Sequence, residues 1–467
     1  MVKIKSQIIV VITLLLCFLF PSVYAEEIEK EVCIIKEINV SGNRKTKDFI
    51  IISELPFQIG SEISPDKLDD LLQRAEQNVL NTSLFNKVSF DTQYVEDNNI
   101  IVNVHVDERL FLWILPLFEN EGRNFSDFLR LNDGSWFNYG IYIKHYNFRG
   151  RNEKISLRAI TGYKNQLVLD YENSGQNNRS GWGLVFRFQE NNQISYNVIN
   201  DKQVFLKLKH SWAVIQNRVE INYFLRQNFY HYHRLSIGYE NVILSDSLHT
   251  LNPKYLPLDK KKSSQLILSY RYKYDTRDLK IFPLNGNYIE SEISRIGMGI
   301  ISDYSGFFDG RFKMGVYRPL VNRLYSNTDF TLRGFSKKEI PFFFKAAYGY
   351  EDYLNGYEYK LVEGTFYTTL KNMLLFELIP RKDKTLNFIP VKQFSTFHYA
   401  FYLHLHADVG YVHNYTVVPE NKLPNSFMFG YGIGIDLVTI YDKVLRLNYS
   451  RTNIGEQGIF FHFNLSL

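Results

Sequence analysis

From Leu110 to the C-terminus, polar and apolar residues alternate with a period of two, and helical spacing is lost. That period puts successive side chains on opposite faces of a strand. In Gln265–Asp275, Gln265, Ile267, Ser269, Arg271, Lys273 and Asp275 share one face, and Leu266, Leu268, Tyr270, Tyr272 and Tyr274 the other. His398–Tyr411 sets His404, His406, Asp408 and Gly410 against Phe401, Leu403, Leu405, Ala407, Val409 and Tyr411. Phe366–Ile379 sets Thr369, Lys371 and Glu377 against Leu370, Leu374, Phe376 and Leu378. Such a chain is a β protein with one apolar and one polar face, either a soluble sandwich or a barrel in lipid.

Three features favour the barrel. Tyr and Phe gather near the ends of the apolar faces, as interfacial girdles require. The pattern runs for roughly 350 residues, more than one sandwich core organises. Charged residues and His occupy mid-strand positions on the other face, which suits a wet lumen. The chain holds 33 Tyr and 37 Phe, yet beyond its N-terminal segment no apolar run reaches the roughly 18 residues of a membrane helix. Sixteen or seventeen strands can be drawn; closed bacterial barrels favour even numbers, so sixteen is the expectation.

The N-terminus reads as an export signal over residues 1–25. Lys3 and Lys5 precede an apolar run, Ile8 to Phe20, and Val23-Tyr24-Ala25 offers a cleavage site. Leu14-Leu15-Leu16 before Cys17 lacks the small residue of a lipoprotein signal, so no lipid is expected. Removing Lys3 and Lys5 lowers the net charge from +5 to +3, too balanced for nucleic acid. Only Cys33 then remains, so neither an intramolecular disulfide nor a structural zinc site is expected.

After a short lead, 26–32, residues 33–108 read as a small α+β domain. Ile34–Val40 is a strand ended by Ser41-Gly42-Asn43. Asp48–Leu55 is a short helix, and Ser64-Pro65-Asp66 starts a longer one whose stripe is Leu68, Leu71, Leu72, Ala75, Val79 and Leu80. Strands Val88–Tyr94 and Ile100–Val106 follow. This β-α-α-β-β order, with Gly60, Leu84-Phe85 and the closing Val104–Arg109, resembles a POTRA domain. The resemblance implies a periplasmic module whose sheet edge receives client chains.

Residues 109–467 carry motifs of one family. Asp275-Thr276-Arg277-Asp278, then Pro283-Leu284-Asn285-Gly286, resembles the D-x-R-D…P-x-x-G signature of the BamA-type outer-membrane assembly superfamily, placed at a periplasmic turn. Pro283 and Gly286 suit a tight turn. Family members fold a long sixth loop into the lumen, with a [VIL]-R-G-[FY] tip. Here the loop is about 336–365 and the tip is Leu354-Asn355-Gly356-Tyr357, preceded by Pro341-Phe342-Phe343-Phe344. Leu332-Arg333-Gly334-Phe335 fits the pattern letter for letter but lies at a strand end, before that segment. The family's tip arginine pairs with acids on the next two strands, which implies Glu377 and Asp408 as lumen partners, with Lys371 beside them. Asn355 offers them amide hydrogens and no charge, and a neutral contact is roughly half as strong. A loop held less firmly is the expectation, with Tyr357 and the flanking charges on a wet lumen wall.

The barrel ends imply a gate. The first strand contains Trp113 and Pro116, and proline belongs at sheet edges. The last strand holds Gly458, Phe461 and Phe463, within the pattern by which barrels are recognised for assembly. His404, His406 and Asp408 alternate on one face and could in principle ligate a metal, but polar lumen residues are expected there anyway. No enzyme motif is present, and no cofactor is expected. The resemblance therefore implies a non-enzymatic helper of protein insertion or translocation in the outer membrane. Its partners would be lipids and unfolded client proteins, with accessory lipoproteins also allowed. A passive channel and a dedicated secretion pore are the alternative readings.

Overall fold

The stripe on residues 65–80 has to be covered, and it is the sheet of the small domain that covers it. The computed structural model describes residues 32–95, 98–120, 137–173, 175, 179–302, 304–349, 352–385, 396–416, 418–439 and 443–464. The signal segment 1–25 and the lead up to residue 31 lie outside these. Strands β1 (Cys33–Ser41), β2 (Glu62–Ile63), β3 (Phe85–Val95) and β4 (Asn99–Glu108) form a sheet in the order β2-β1-β4-β3. Strand β1 runs parallel to β4, which pairs antiparallel with β3. Helices α1 (Asp48–Ile52) and α2 (Pro65–Leu80) close the core, where Leu68, Ala75 and Val79 meet Ile35, Val102 and Val104. Ser64 bonds the Asp66 carboxylate instead of capping the helix amides.

A second sheet takes up the alternating half. Among the described residues it has sixteen antiparallel strands, from β5 (Leu112–Asn120) to β24 (Gln457–Asn464). Between them, in ladder order, come β6 (Phe137–Phe148), β7 (Glu153–Gly162), β8 (Lys164–Asn173), β9 (Ser180–Asn191), β12 (Val214–Arg226), β13 (His231–Leu244), β14 (Lys262–Asp275) and β15 (Gly286–Ile296). The ladder continues through β16 (Phe307–Val321), β17 (Leu324–Phe335), β20 (Phe366–Thr385), β21 (Thr396–His413), β22 (Phe427–Thr439) and β23 (Val444–Thr452). The extra runs in the sequence are loop hairpins: β10 (Gln193–Ile199) with β11 (Lys202–Lys207), and β18 (Ala346–Tyr348) with β19 (Val362–Gly364).

The sheet curls into a barrel with lipid-facing residues outside. Ile114, Ile221, Ile237, Leu405 and Ile459 are more than half exposed, whereas Gln265, His404 and Asp408 on the alternate face are almost fully buried. No helix among the described residues is long and apolar enough to cross a membrane.

The small domain sits at the end of the barrel where β5 begins, called here the near end. It is held there by polar contacts. Glu54 forms a paired-oxygen bridge to Arg226 at the end of β12, with Nη2 2.6 Å from Oε2. Asn147 donates to Thr46 Oγ1 at 2.8 Å, and the Lys47 amide to the Gly150 carbonyl at 2.9 Å. At the far end, the described residues of loops 192–213, 245–261, 336–365 and 414–426 meet one another over the mouth.

Candidate functional site

Strand β22 reads Gly430-Tyr431-Gly432-Ile433-Gly434-Ile435-Asp436, so its lumen face is a row of glycines ending in an acid. Opposite them on β21 are Asp408, His406 and His404; on the other side, on β23, are Thr452, Ser450 and Asn448. With no Cβ in the way, side chains cross the bare strand. His404 Nε2 lies 3.1 Å from Asn448 Oδ1, and His406 Nε2 lies 3.0 Å from Ser450 Oγ. His404 Nδ1 is 3.2 Å from Asp436, which also holds Arg446 through both oxygens at 2.6 and 2.9 Å. Both histidines are therefore committed to neighbours within the wall. Methyl groups at Gly432 and Gly434 would collide with the rings of His406 and His404.

The tip of the inward loop seats on this wall. Asn355 donates to Asp408 Oδ2 twice, from its backbone amide at 3.1 Å and from Nδ2 at 2.7 Å. Its Oδ1 accepts from Asn448 Nδ2 at 3.0 Å. Gly356, at φ +90°, turns the chain against Ser450 and Thr452, where a side chain would clash. A Cβ on Gly430 would meet the Asn355 carbonyl. Leu354 and Tyr357 are buried with Tyr348, Tyr367, Val412 and Met428 in an apolar cluster, and the Tyr357 hydroxyl bonds Asn453. The expected wet lumen wall is therefore corrected. Stacked loops and the glycine row bury this side of the tip, leaving Glu358 only 2% exposed and Tyr357 4%.

A second anchor lies just upstream of the tip. Asp352 bridges Arg311 Nη2 at 2.9 Å and Lys313 Nζ at 3.0 Å on β16, and accepts from the Tyr367 hydroxyl at 2.7 Å. The loop thus carries the acid and the wall the bases. Downstream, the same loop presses on the last strands. Tyr353 stacks on His462 at 4.8 Å, Glu358 lies 3.3 Å from His462, and Lys360 pairs with Glu456 at 2.9 Å. A cavity of about 410 Å³ borders the tip and is lined by Tyr353, Asn355, Lys371 and Asp408 among others.

Of the sequence-selected partners, Asp408 touches the tip and Lys371 lies beside it. Lys371 is in register with Asp408, and its ammonium sits 4.0 Å from the Tyr353 ring centre. Glu377 does not join them, which corrects that assignment. It faces the lumen six residues further along β20, roughly 20 Å away at 3.3 Å per residue, and accepts from the Tyr402 hydroxyl at 3.3 Å. Period two fixes a residue's face but not its depth. Arg333 of the alternative tip pattern is a strand residue bound to both oxygens of Asp309, at 3.0 and 2.6 Å.

The turn between β14 and β15 is larger than a tight hairpin and folds into the near mouth. Arg277 holds Asp275 through both oxygens at 2.7 Å and lies 4.2 Å from the Tyr288 ring centre. Asp278 accepts from the amides of Leu279 and Leu284 at 2.8 and 3.1 Å; burial pushes its carboxyl up, against the pull of those amides. Gly286, at φ +114°, leaves no space for a side chain beside Thr276 and Arg277. The Pro283 carbonyl accepts from Asn327 at 3.1 Å, and Phe282 packs across the mouth against Leu375, Tyr402 and Val444.

Strand β5 pairs with β6 without a break across Pro116, and β24 pairs with β23. Among the described residues no ladder joins β5 to β24. Trp113 donates to the Leu110 carbonyl at 2.8 Å. Gly458 and Phe461 lie in β24, Gly458 packing beside Phe460; the side chain of Phe463 lies outside the described residues. Leu112, Ile114 and Phe118 on one face of β5 and Trp113, Leu115 and Leu117 on the other make this edge apolar on both sides.

Residues 33–109 match the POTRA family, described as surface antigen variable number repeat, and residues 147–368 match the Omp85 superfamily domain. This chain belongs to the Omp85 superfamily. The outer membrane protein assembly factor BamA of Neorickettsia risticii (strain Illinois) is 33% identical over 75 residues, 16% of this chain and only a tenth of that relative. BamA from Haemophilus ducreyi lacking POTRA domains 1–3 superposes with a TM-score of 0.53 at 15% identity, over 92% of this chain and 84% of that one. CdiB from Escherichia coli gives 0.57 at 10% identity, over 92% and 76%. At such identities the likeness is one of fold: a POTRA domain followed by a transmembrane barrel.

Within this Omp85 barrel, two features of the site escaped the sequence reading. The glycine row was legible as Gly-x-Gly-x-Gly at period two, a lumen face with nothing to fill it. Asp352 had no signal beyond being an acid in a long loop.

Proposed function

We propose that this Omp85 protein assists the insertion of client proteins into the bacterial outer membrane, or their passage across it, with the POTRA domain on the periplasmic side. The observation that carries this reading is the edge of β5, which among the described residues has no ladder to β24. Lipid offers backbone amides no partner, so an entering strand is driven to pair with such an edge. Two further features support it. The apolar faces of β5 suit a client strand that leaves water, and β3 of the POTRA domain is a sheet edge at the near mouth, able to receive an extended chain first. Such a cycle needs no external energy, because pairing at this edge satisfies backbone groups of the client strand that lipid leaves without partners. A photocrosslinker placed near Pro116 in cells tests it. Adducts with nascent outer-membrane barrels are expected, and an absence of adducts, with other barrels at normal levels after depletion of this chain, sinks the proposal.

A passive channel is the second reading, favoured by asparagine at position 355 where the family tip has arginine. Large steady conductance in planar bilayers without client adducts at β5 would select it.

A further inference from the structure

The hairpin of β10 and β11 leaves the barrel between the fifth and sixth strands of the ladder, β9 and β12. Loop 414–426 lies between the thirteenth and fourteenth, β21 and β22, half a circumference away. The two nevertheless meet. The hairpin turns at Asn200-Asp201, both with positive φ (54° and 56°), a two-residue turn that matches strand twist. The amide, carboxylate and carbonyl of Asp201 all find partners across the mouth. The Asp201 amide donates to Asn421 Oδ1 at 2.9 Å, and Asn421 Nδ2 donates back to the Val198 carbonyl at 2.9 Å. The Asp201 carboxylate accepts from the amides of Lys422 at 3.2 Å and Leu423 at 3.3 Å. Its carbonyl accepts from the amide of Leu361, in the inward loop, at 2.9 Å. Val198 and Leu361, 1% and 0% exposed, pack together beneath these bonds.

We infer that the hairpin is a strap across the far mouth and that Asp201 is its latch. It ties loop 414–426 and the inward loop into one lid, so anything leaving by the far mouth requires Asp201 to let go first, whereas sideways release into lipid does not. The root of the strap is fixed: the Tyr196 carbonyl accepts from Asn252 at 2.7 Å, and Ile194, Tyr196 and Leu206 pack on Leu248, Tyr255 and Leu256. The tip, held by polar contacts, is the end that can open.

Hydrogen exchange on the full chain in lipid nanodiscs tests this without any client, so its outcome is independent of the insertion reading. Asp201→Ala should speed exchange about tenfold or more in segments 418–426 and 357–365, neither of which is mutated. Exchange in β13 and β14 should be unchanged, and Asn421→Ala should reproduce the effect in 357–365. Exposed Lys202→Ala should leave both segments as in the parent. Faster exchange confined to the hairpin in Asp201→Ala, or an equal effect from Lys202→Ala, overturns the latch.

Discussion

Asn355 and Asp408, 53 residues apart, share one carboxylate oxygen through two hydrogen bonds, one from the backbone and one from the side chain. The backbone bond survives any substitution at position 355 except proline; the side-chain bond does not. A double-mutant cycle of Asn355→Ala with Asp408→Ala should therefore give a coupling of about 1 to 3 kcal/mol, read from unfolding by gel mobility on heating. A coupling near zero would mean that the tip is held by its apolar neighbours alone.

Asn355→Arg should tighten the loop. The adjoining cavity has space for the longer side chain, and a charged donor to Asp408 is worth roughly twice a neutral one. A gain of about 1 kcal/mol is expected, measured as slower protease cleavage within 336–365. Faster cleavage would show that Lys371 repels the new charge more than Asp408 attracts it.

Asp352→Ala should cost more than Asn355→Ala. It leaves Arg311 and Lys313 facing each other in a half-buried site, and removing one partner of a buried ion pair costs about 3 to 5 kcal/mol. The measurement is the same heat-dependent mobility shift. Equal costs for the two variants would refute the second anchor.

Gly434→Ala should destabilise by about 1 to 3 kcal/mol, because the added methyl would meet both Asn448 Oδ1 and the His404 ring. Removing the ring should relieve its part of the clash, so His404→Ala and Gly434→Ala together should cost less than their sum. Strict additivity would mean that the histidine is not what fills the glycine row.

Glu54→Ala should loosen the POTRA domain from the barrel, stranding Arg226 at the near end, and should raise proteolysis between Glu108 and Leu112. Adding Arg226→Ala should restore part of the protection, since the unpaired charge is then gone. A double variant as labile as the single one would place the docking in Asn147 and Gly150 instead.

Much of this protein was legible in its sequence because the signals are local. Period two with Tyr and Phe at strand ends encodes a barrel, and Asn355-Gly356 encodes a turn that a loop tip can adopt. The face of Glu377 was legible in the same way, since alternation depends only on neighbours. Its depth was not: six strand residues separate it from the tip, and nothing local reports that distance. Likewise Asp201 carries no mark of its partner at Asn421, 220 residues on. The curl of the sheet brings them together, and that curl depends on the stagger of sixteen strands at once. Side-chain periodicity therefore determined the architecture and the lining of the lumen. Which lining residues meet was decided only by the curvature of the whole sheet, because a hydrogen bond acts over about 3 Å while the chain between its partners can be any length.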